Sequence, residues 1–195
     1  PPATIRRQRQ MCIRDRVIAF IDNLDSFSHN IIHALQTLGC NVETFDGRGE
    51  IVDFNHDAIV IGPGPGRPEI SPISMHAASL DMPVLGICLG HQAIGLARGM
   101  ELIESPLGPV HGVPSTIVAD GNGLLSKGKH VMTRYNSLVL SGDGNISVTA
   151  NDETGTLPME IRDGNTYGLQ FHPESIGSSG GMEVLSEFLR RVAHC

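Results

Sequence analysis

Apolar positions in the first half of the chain switch between two periodicities. Runs with the length and composition of buried parallel strands lie at residues 17–21, 41–45, 58–61 and 84–87. The first intervening stretch has helical spacing, with an apolar face at Phe27, Ile31, Ala34, Leu35 and Leu38. Asp25 or Ser26 is predicted to cap this helix and Gly39 to end it, and further helices are expected at 74–80 and 91–98.

The pattern changes after Met100. Short strands separated by Gly, Asn and Asp turns are predicted at residues 116–118, 146–149, 159–161 and 166–171. One amphipathic helix over 182–192 closes the chain. The alternation in the first half and the strands in the second predict an α/β fold, with an open, mostly parallel sheet, helices on both faces and an additional antiparallel edge.

Composition restricts the classes of function. The chain has 195 residues, enough for one well-buried domain, and no segment is composed like a linker. A net charge of −7 and only 4% aromatic residues argue against nucleic-acid binding, and no apolar run is long enough for a membrane span. Four cysteines without zinc spacing predict no metal site and reduced thiols in the cytoplasm.

Residues 1–16 differ in charge from the rest of the chain. They contain five arginines and one acidic residue, Asp15. The segment has no apolar core that would make it a signal peptide. We expect it to be a disordered leader or one foreign to the domain, and the domain itself to cover residues 17–195.

The first candidate for chemistry is Cys88, between a predicted strand and a predicted helix. Gly86 and Gly90 flank it in a G-x-C-x-G pattern, which resembles the sharp turn that carries the nucleophile of many hydrolases. Such a turn places the sulfur at a helix N-terminus, where the partial positive charge favours thiolate, and aims the amide of Leu89 at an attacked carbonyl. A buried structural cysteine is the alternative reading of this motif alone.

A histidine and a carboxylate follow near the end of the chain. His172 and Glu174 stand two residues apart at the end of an extended run, so their side chains leave the same face. A histidine that transfers protons needs a partner to fix its tautomer, and Glu174 can be that partner. A surface His–Glu pair is the alternative.

The third candidate is the glycine-rich turn at residues 62–66, directly after a strand. It lacks the Gly-Lys-Ser/Thr sequence of a phosphate-binding loop, and its two prolines remove amide donors. The remaining fixed glycine amides suit an oxyanion hole beside Cys88, whereas a plain structural turn is the alternative.

Together these motifs resemble the class I (triad) glutamine amidotransferases over about residues 17–192. The matching segments, in chain order, are 22–27, 62–66, 86–92, 111–112, 134–138 and 168–175. The opening segment is similar to the small subunits of anthranilate synthase and aminodeoxychorismate synthase. Two residues depart from the family pattern: Asn136 replaces a histidine, and Val113 replaces a basic residue.

The resemblance implies a reaction and a set of residues. Cys88 would attack the side-chain amide of L-glutamine, with His172 as proton shuttle and Glu174 as its orienting partner. Gly64 and Leu89 would form the oxyanion hole. The implied glutamine-binding residues are Gly64, Pro65, Gly66, Gln92, Ser137 and Leu138. Neither a metal nor an organic cofactor is implied.

The resemblance also implies a partner. The ammonia would pass to a separate large subunit that binds chorismate, within a hetero-oligomer. Anthranilate synthase is the first expectation for that synthase and aminodeoxychorismate synthase the second. A catalytically silent scaffold with this fold and a cysteine hydrolase of another α/β family are the remaining alternatives. The hydrolase would leave segments 62–66 and 134–138 unexplained.

Overall fold

The computed structural model describes residues 16–192, which form eleven strands and four α-helices. The strands are β1 Val17–Asp22, β2 Asn41–Asp46, β3 Ala58–Ile61, β4 Val84–Ile87, β5 Glu101–Glu104, β6 Val110–Ala119, β7 Gly128–Asn136, β8 Leu138–Ser141, β9 Ser147–Asp152, β10 Pro158–Asp163 and β11 Thr166–Leu169. The helices are α1 Ser28–Thr37, α2 Pro72–Ser79, α3 Leu89–Ala97 and α4 Gly181–Arg191, and a short 3₁₀ helix spans Pro68–Ile70.

Nine of the strands form a single sheet in the order β2-β1-β3-β4-β11-β10-β9-β6-β7. The pairings from β2 through β11 are parallel, and those from β11 through β7 are antiparallel. Strands β5 and β8 pair antiparallel in a separate two-stranded sheet. The predicted fold class, a mostly parallel sheet with an antiparallel edge, is therefore confirmed.

Helices cover both faces of the parallel half, as predicted. Ile31 of α1 and Phe188 of α4 belong to the same buried cluster as Phe20 of β1. Ala77 of α2 and Ile94 of α3 belong to the cluster on the opposite side of the sheet. Because β1, β3 and β4 are buried almost throughout, their side chains read as continuous apolar runs in the sequence.

Three strands, β5, β7 and β8, were not predicted from the sequence. Strands β5 and β8 have only four residues each, and they pair outside the main sheet. Strand β7 lies at the sheet edge and begins with polar residues, including Lys129 and His130. The polar residues that begin β7 hide its apolar part, whereas β8 contains the apolar run 138–140, which the sequence analysis missed.

The start of α1 also differs from the prediction. The helix begins at Ser28, and the residue at its N-cap is Phe27, whose side chain makes no capping hydrogen bond. Asp25 instead accepts a hydrogen bond from the amide of Phe27, two residues on, at 2.8 Å. The predicted caps Asp25 and Ser26 were therefore wrong, because the aspartate closes a local turn before the helix begins. Gly39 follows the helix with φ of 95°, as predicted.

The first described residue, Arg16, contacts both β2 and the C-terminal segment of the chain. Arg16, which was expected to belong to a leader, is buried, and its Nη1 donates to the carbonyl of Val192 at 2.9 Å. Its own carbonyl accepts from the amide of Asn41 at 2.7 Å. Residues 1–15 lie outside the described part of the chain, as do Cys12 and Cys195. Over residues 16–192, no helix combines the length and apolar character that crossing a membrane requires.

His91 of α3 is completely buried between the helix and the sheet. A side chain on Gly168 of β11 would place its Cβ only 2.9 Å from Nδ1 of the ring, so glycine at 168 leaves room for the histidine. Burial lowers the pKa of His91 to about 4, and the nearby main chain of Gly168 and Pro158 opposes this only in part. Because the ring is completely buried, His91 packs inside the domain and is not available for contact with a partner protein.

This burial predicts a dependence of stability on pH. Unfolding returns the pKa of His91 to its ordinary value of 6.5, so between about pH 6.5 and pH 4 the unfolded chain binds the extra proton. Stability should therefore fall as the pH falls through this window, by on the order of 3 kcal/mol more than in His91→Leu. Urea unfolding of both proteins across the window measures the difference.

The exposed His33 of α1 provides the control for this experiment. His33→Gln should keep the pH slope of the wild type, because folding does not remove this side chain from water. Equal slopes for wild type and His91→Leu would show that the buried ring is not the cause.

Candidate active site

The turn between β4 and α3 consists of one residue, Cys88. Its φ of 53° and ψ of −97° are values that a residue with a side chain rarely adopts. The turn is this sharp because glycine backbones touch: a Cβ on Gly86 would collide with Gly90, and a Cβ on Gly90 would collide with the carbonyl of Ile61. The thiol is thereby placed at the N-terminus of α3, whose first amide is that of Leu89.

The loop after β11 holds His172 in one position. The amide of His172 donates to the carbonyl of Thr133 at 2.9 Å, and its own carbonyl accepts from Oγ of Ser178. Nδ1 of the ring lies 2.6 Å from Oε1 of Glu174, and both side chains are buried. Because a carboxylate only accepts, Nδ1 carries the proton of this bond, and Nε2 is left for the sulfur.

The surroundings of His172 raise the pKa of its ring to about 10. Burial alone would lower this pKa, but the hydrogen bonds and negative charges of Cys88 and Glu174 outweigh it. Among the described residues, Nε2 of the ring has no hydrogen-bond partner, and Cys88 is near enough for its sulfur to raise the pKa of the ring. The arrangement favours a protonated imidazolium beside the sulfur, with Glu174 behind the ring.

Two aromatic rings pack against the His172 ring, and sequence reasoning missed both contacts. The centroid of Tyr135 lies 5.1 Å from that of the imidazole, and the centroid of Phe27 lies 5.7 Å from it. Phe27, assigned to the apolar face of α1, instead contacts Tyr135 with centroids 5.0 Å apart. Both aromatic residues occur in motifs quoted above, 22–27 and 134–138, and that membership is the signal that could have identified them.

Asn23 fixes the glycine-rich turn after β3. Its Nδ2 donates to the carbonyl of Gly62 at 3.0 Å, and its Oδ1 accepts from Oγ of Ser74 at 3.0 Å. A Cβ on Gly64 would lie 2.7 Å from the carbonyl oxygen of Asn23 and 3.2 Å from Cδ1 of Leu89. Glycine at 64 therefore lets the turn pack closely between the loop after β1 and the side chain of Leu89 at the start of α3.

A cavity of about 330 Å³ opens beside Cys88. Its volume is at the lower end of the range for small-molecule sites, which suits a ligand of amino-acid size. The lining residues are Gly64, Pro65, Gly66, Arg67, Cys88, Gln92, His111, Tyr135, Asn136, Ser137 and Leu138. All six residues predicted to bind glutamine are in this set. Arg67, on the exposed rim, was not singled out from the sequence.

No group of three or more His, Cys, Asp or Glu side chains within residues 16–192 is arranged to hold a metal ion. The site therefore consists of a thiol, an imidazole and a carboxylate beside a cavity with main-chain amides at its edge. This set of groups can carry out acyl transfer through a covalent thioester.

One family model matches nearly all of the chain that the structure describes. The family model for class-I glutamine amidotransferases matches residues 19–192. The chain belongs to the class I glutamine amidotransferases. The Cys88 turn, the His172–Glu174 pair and the glycine-rich turn are thus found in a chain of the family that the sequence motifs had indicated.

Two curated relatives are similar in sequence to most of this amidotransferase. Anthranilate synthase component 2 of Cyanophora paradoxa is 36% identical, and the match covers 89% of this chain and 98% of that one. The bifunctional protein TrpGD of Thermotoga maritima is 39% identical over 89% of this chain. This amidotransferase spans only 32% of that bifunctional protein.

Solved structures agree with the fold. A putative GMP synthase component from Thermoplasma acidophilum superposes with a TM-score of 0.79 at 17% identity, covering 91% of this chain and 94% of that one. A glutamine amidotransferase from Thermotoga maritima gives a TM-score of 0.66 at 17% identity, covering 82% and 76%. At these identities the likeness supports the amidotransferase fold and nothing finer.

The Asn23 contacts generate a prediction on stability. Asn23→Ala leaves the carbonyl of Gly62 and the hydroxyl of Ser74 without their partner, and we expect a loss of about 1–3 kcal/mol. Urea unfolding measures the free energy. Asn30→Ala, at an exposed position in α1, is the matched control and should change stability by less than about 0.5 kcal/mol. Equal effects of the two substitutions would show that Asn23 does not hold the turn.

Proposed function

We propose that this protein is the glutamine-hydrolysing subunit of anthranilate synthase. The observation that carries the proposal is the strained turn that places Cys88 beside the cavity and near the buried His172–Glu174 pair. Family membership supports the use of glutamine as nitrogen donor. The two curated relatives support the choice of synthase, since one is named anthranilate synthase component 2 and the other TrpGD.

In the first half-reaction, the thiolate of Cys88 attacks the side-chain amide carbon of glutamine. The carbonyl oxygen becomes an oxyanion, which the amides of Gly64 and Leu89 would stabilise, a contribution on the order of 10²–10³ in rate per donor. His172 gives its proton to the amide nitrogen, the carbon–nitrogen bond breaks, and ammonia leaves. A γ-glutamyl thioester remains on Cys88.

In the second half-reaction, His172 acts as a base. It takes a proton from a water molecule, which attacks the thioester carbon and releases glutamate and the thiolate. Glu174 keeps Nδ1 protonated throughout, so the same ring nitrogen, Nε2, both gives and receives the catalytic proton. Glutamine binding at Gly64, Pro65, Gly66, Gln92, Ser137 and Leu138 fits this scheme, because all six surround the cavity next to the sulfur.

The ammonia requires an acceptor. We assign that role to a chorismate-binding large subunit, with which this protein would form a hetero-oligomer in the cytoplasm. Aminodeoxychorismate synthase is the alternative partner. A silent scaffold is the less favoured alternative, because the thiol, the imidazole and the carboxylate are all present and arranged for chemistry.

The first test is selective labelling. The diazoketone analogue of glutamine should alkylate Cys88 alone, since it needs both a reactive thiolate and the glutamine cavity. Cys40 should not react, because it is buried and burial raises the pKa of its thiol to about 11. Peptide mass mapping identifies the modified residue, and excess glutamine should protect it. Labelling spread over all four cysteines would count against the site.

The second test separates glutamine use from synthesis. With the large subunit of anthranilate synthase from the same source organism, the wild type should make anthranilate from chorismate and glutamine, followed by fluorescence. Cys88→Ser should abolish that activity and leave synthesis from an ammonium salt intact, because only ammonia production needs the thiol. Loss of both activities would indicate a structural role for the residue.

The same assay distinguishes the two synthases. Replacing the large subunit by that of aminodeoxychorismate synthase should give no glutamine-dependent product if anthranilate synthase is the specific partner. Production only with the aminodeoxychorismate synthase protein would overturn the assignment to anthranilate synthase, while leaving the glutaminase proposal in place.

A further inference from the structure

The mechanism above leaves one buried polar side chain at the sulfur unexplained. Gln170 follows β11 and is completely buried. Its Nε2 lies 3.7 Å from Sγ of Cys88, within hydrogen-bonding range for a sulfur acceptor. Gln170 does not line the glutamine cavity, so its position is not explained by substrate binding.

The neighbouring Gln92 fixes the orientation of the Gln170 amide. Nε2 of Gln92 donates to the carbonyl of Leu138 at 3.1 Å and to Oε1 of Gln170 at 3.3 Å. A main-chain carbonyl can only accept, so Gln92 must present its NH₂ group at this point, and that group has two hydrogens for two acceptors. Oε1 of Gln170 is therefore the acceptor of the pair, and its NH₂ group faces the sulfur.

The chain of bonds continues away from Cys88 to a buried cation. The carbonyl of Leu138 also accepts from Nδ2 of Asn136 at 3.0 Å, and Oδ1 of Asn136 accepts from Nε of Arg134 at 3.2 Å. An arginine side chain can only donate, so the Asn136 amide has a single orientation as well. Arg134 can only donate and the carbonyl of Leu138 can only accept, so they fix the amide orientations of Asn136 and Gln92. Gln92 in turn fixes the amide orientation of Gln170.

We propose that Gln170 is a further catalytic residue, whose amide donates a hydrogen bond to the Cys88 sulfur and favours the thiolate that attacks glutamine. A donor stabilises the charged form of an acceptor more than the neutral form, because a thiolate accepts more strongly than a thiol. Gln92 has a second role in this scheme: it positions Gln170 through its NH₂ group and leaves its Oε1 for the substrate. The inference rests on the proposed function for the identity of the nucleophile.

Other charged groups near the sulfur act alongside this bond. His172, backed by Glu174, interacts with the sulfur from one side, and Arg134, near Asp152, interacts with it from within the domain. None of these four residues is changed by a substitution at Gln170. A change in thiolate reactivity on substituting Gln170 therefore reports its own contribution, provided that the fold is kept.

The test is the pH dependence of Cys88 alkylation by iodoacetamide, a probe that needs no glutamine. In Gln170→Met, an apolar side chain of similar size, the midpoint should move up by about one pH unit, and alkylation below the midpoint should slow about tenfold. Gln170→Glu should move it further, because a carboxylate facing the sulfur repels the thiolate. For glutamine hydrolysis, kcat should fall with little change in KM, since Gln170 lies outside the cavity.

Thr149→Val is the matched control, because Thr149 is a buried polar residue of the same sheet whose side chain hydrogen-bonds to the carbonyl of Glu160. It should leave the alkylation midpoint unchanged. A midpoint in Gln170→Met equal to that of an active wild type would overturn the inference and leave the proposed function standing. A wild type without glutaminase activity in the complete complex would instead overturn the proposed function.

A measurement on the unsubstituted protein covers the case in which the Gln170 variants do not fold. The side-chain NH₂ resonances of Gln170 should shift with pH at the same midpoint as the alkylation rate, and they should shift again when Cys88 is alkylated. Resonances that respond to neither change would show that the amide does not contact the sulfur in solution.

Discussion

Contact between glycine backbones under the Cys88 turn is the constraint on which the site depends. Gly86 packs against Gly90, and Gly90 packs against Ile61 of the neighbouring strand, so α3 starts directly on the sheet. This approach forces Cys88 into its strained conformation and places the sulfur at the carboxyl edge of the parallel strands. That edge is where open α/β sheets bind ligands, because the loops after adjacent strands meet there. His172, after β11, reaches the sulfur for this reason.

Buried polar networks hold the site on both sides of the sulfur. On one side, Asn23 joins the loop after β1 to the glycine-rich turn through bonds to Gly62 and Ser74. On the other side, Gln92 and Gln170 connect the sulfur to the carbonyl that begins β8. The Asn23 network fixes the position of the backbone turn, and the Gln92 network fixes the orientation of the Gln170 amide. Packing alone would determine neither. Fully bonded amides in a buried setting rigidify their surroundings, and a site for charge development needs groups that do not reorganise during the reaction.

Local sequence patterns were sufficient to predict the parallel half of the fold and to single out the three groups that we propose to react. Cys88 was recognisable because its flanking glycines signal a turn, and Glu174 because it stands two residues after His172. The contacts of Phe27 with the histidine ring and of Gln170 with the sulfur were not recognisable, since they depend on which loops approach each other in space. Alternation along the chain nevertheless contained a hint of the second contact: Gln170, His172 and Glu174 are spaced by two residues, as are side chains on one face of an extended segment.

Asn136, which stands where the family usually has a histidine, is part of the hydrogen-bonded chain that leads to the sulfur. The asparagine uses both ends of its amide, accepting from Arg134 and donating to the carbonyl of Leu138. A side chain with one acceptor and one donor at this spacing is sufficient to connect the buried guanidinium to the carbonyl that orients Gln92. That carbonyl accepts hydrogen bonds from the amides of both Asn136 and Gln92, and asparagine supplies its bond without a titratable group. The asparagine therefore places no titratable group beside the cavity, and its two hydrogen bonds lead from Arg134 to the carbonyl that orients Gln92.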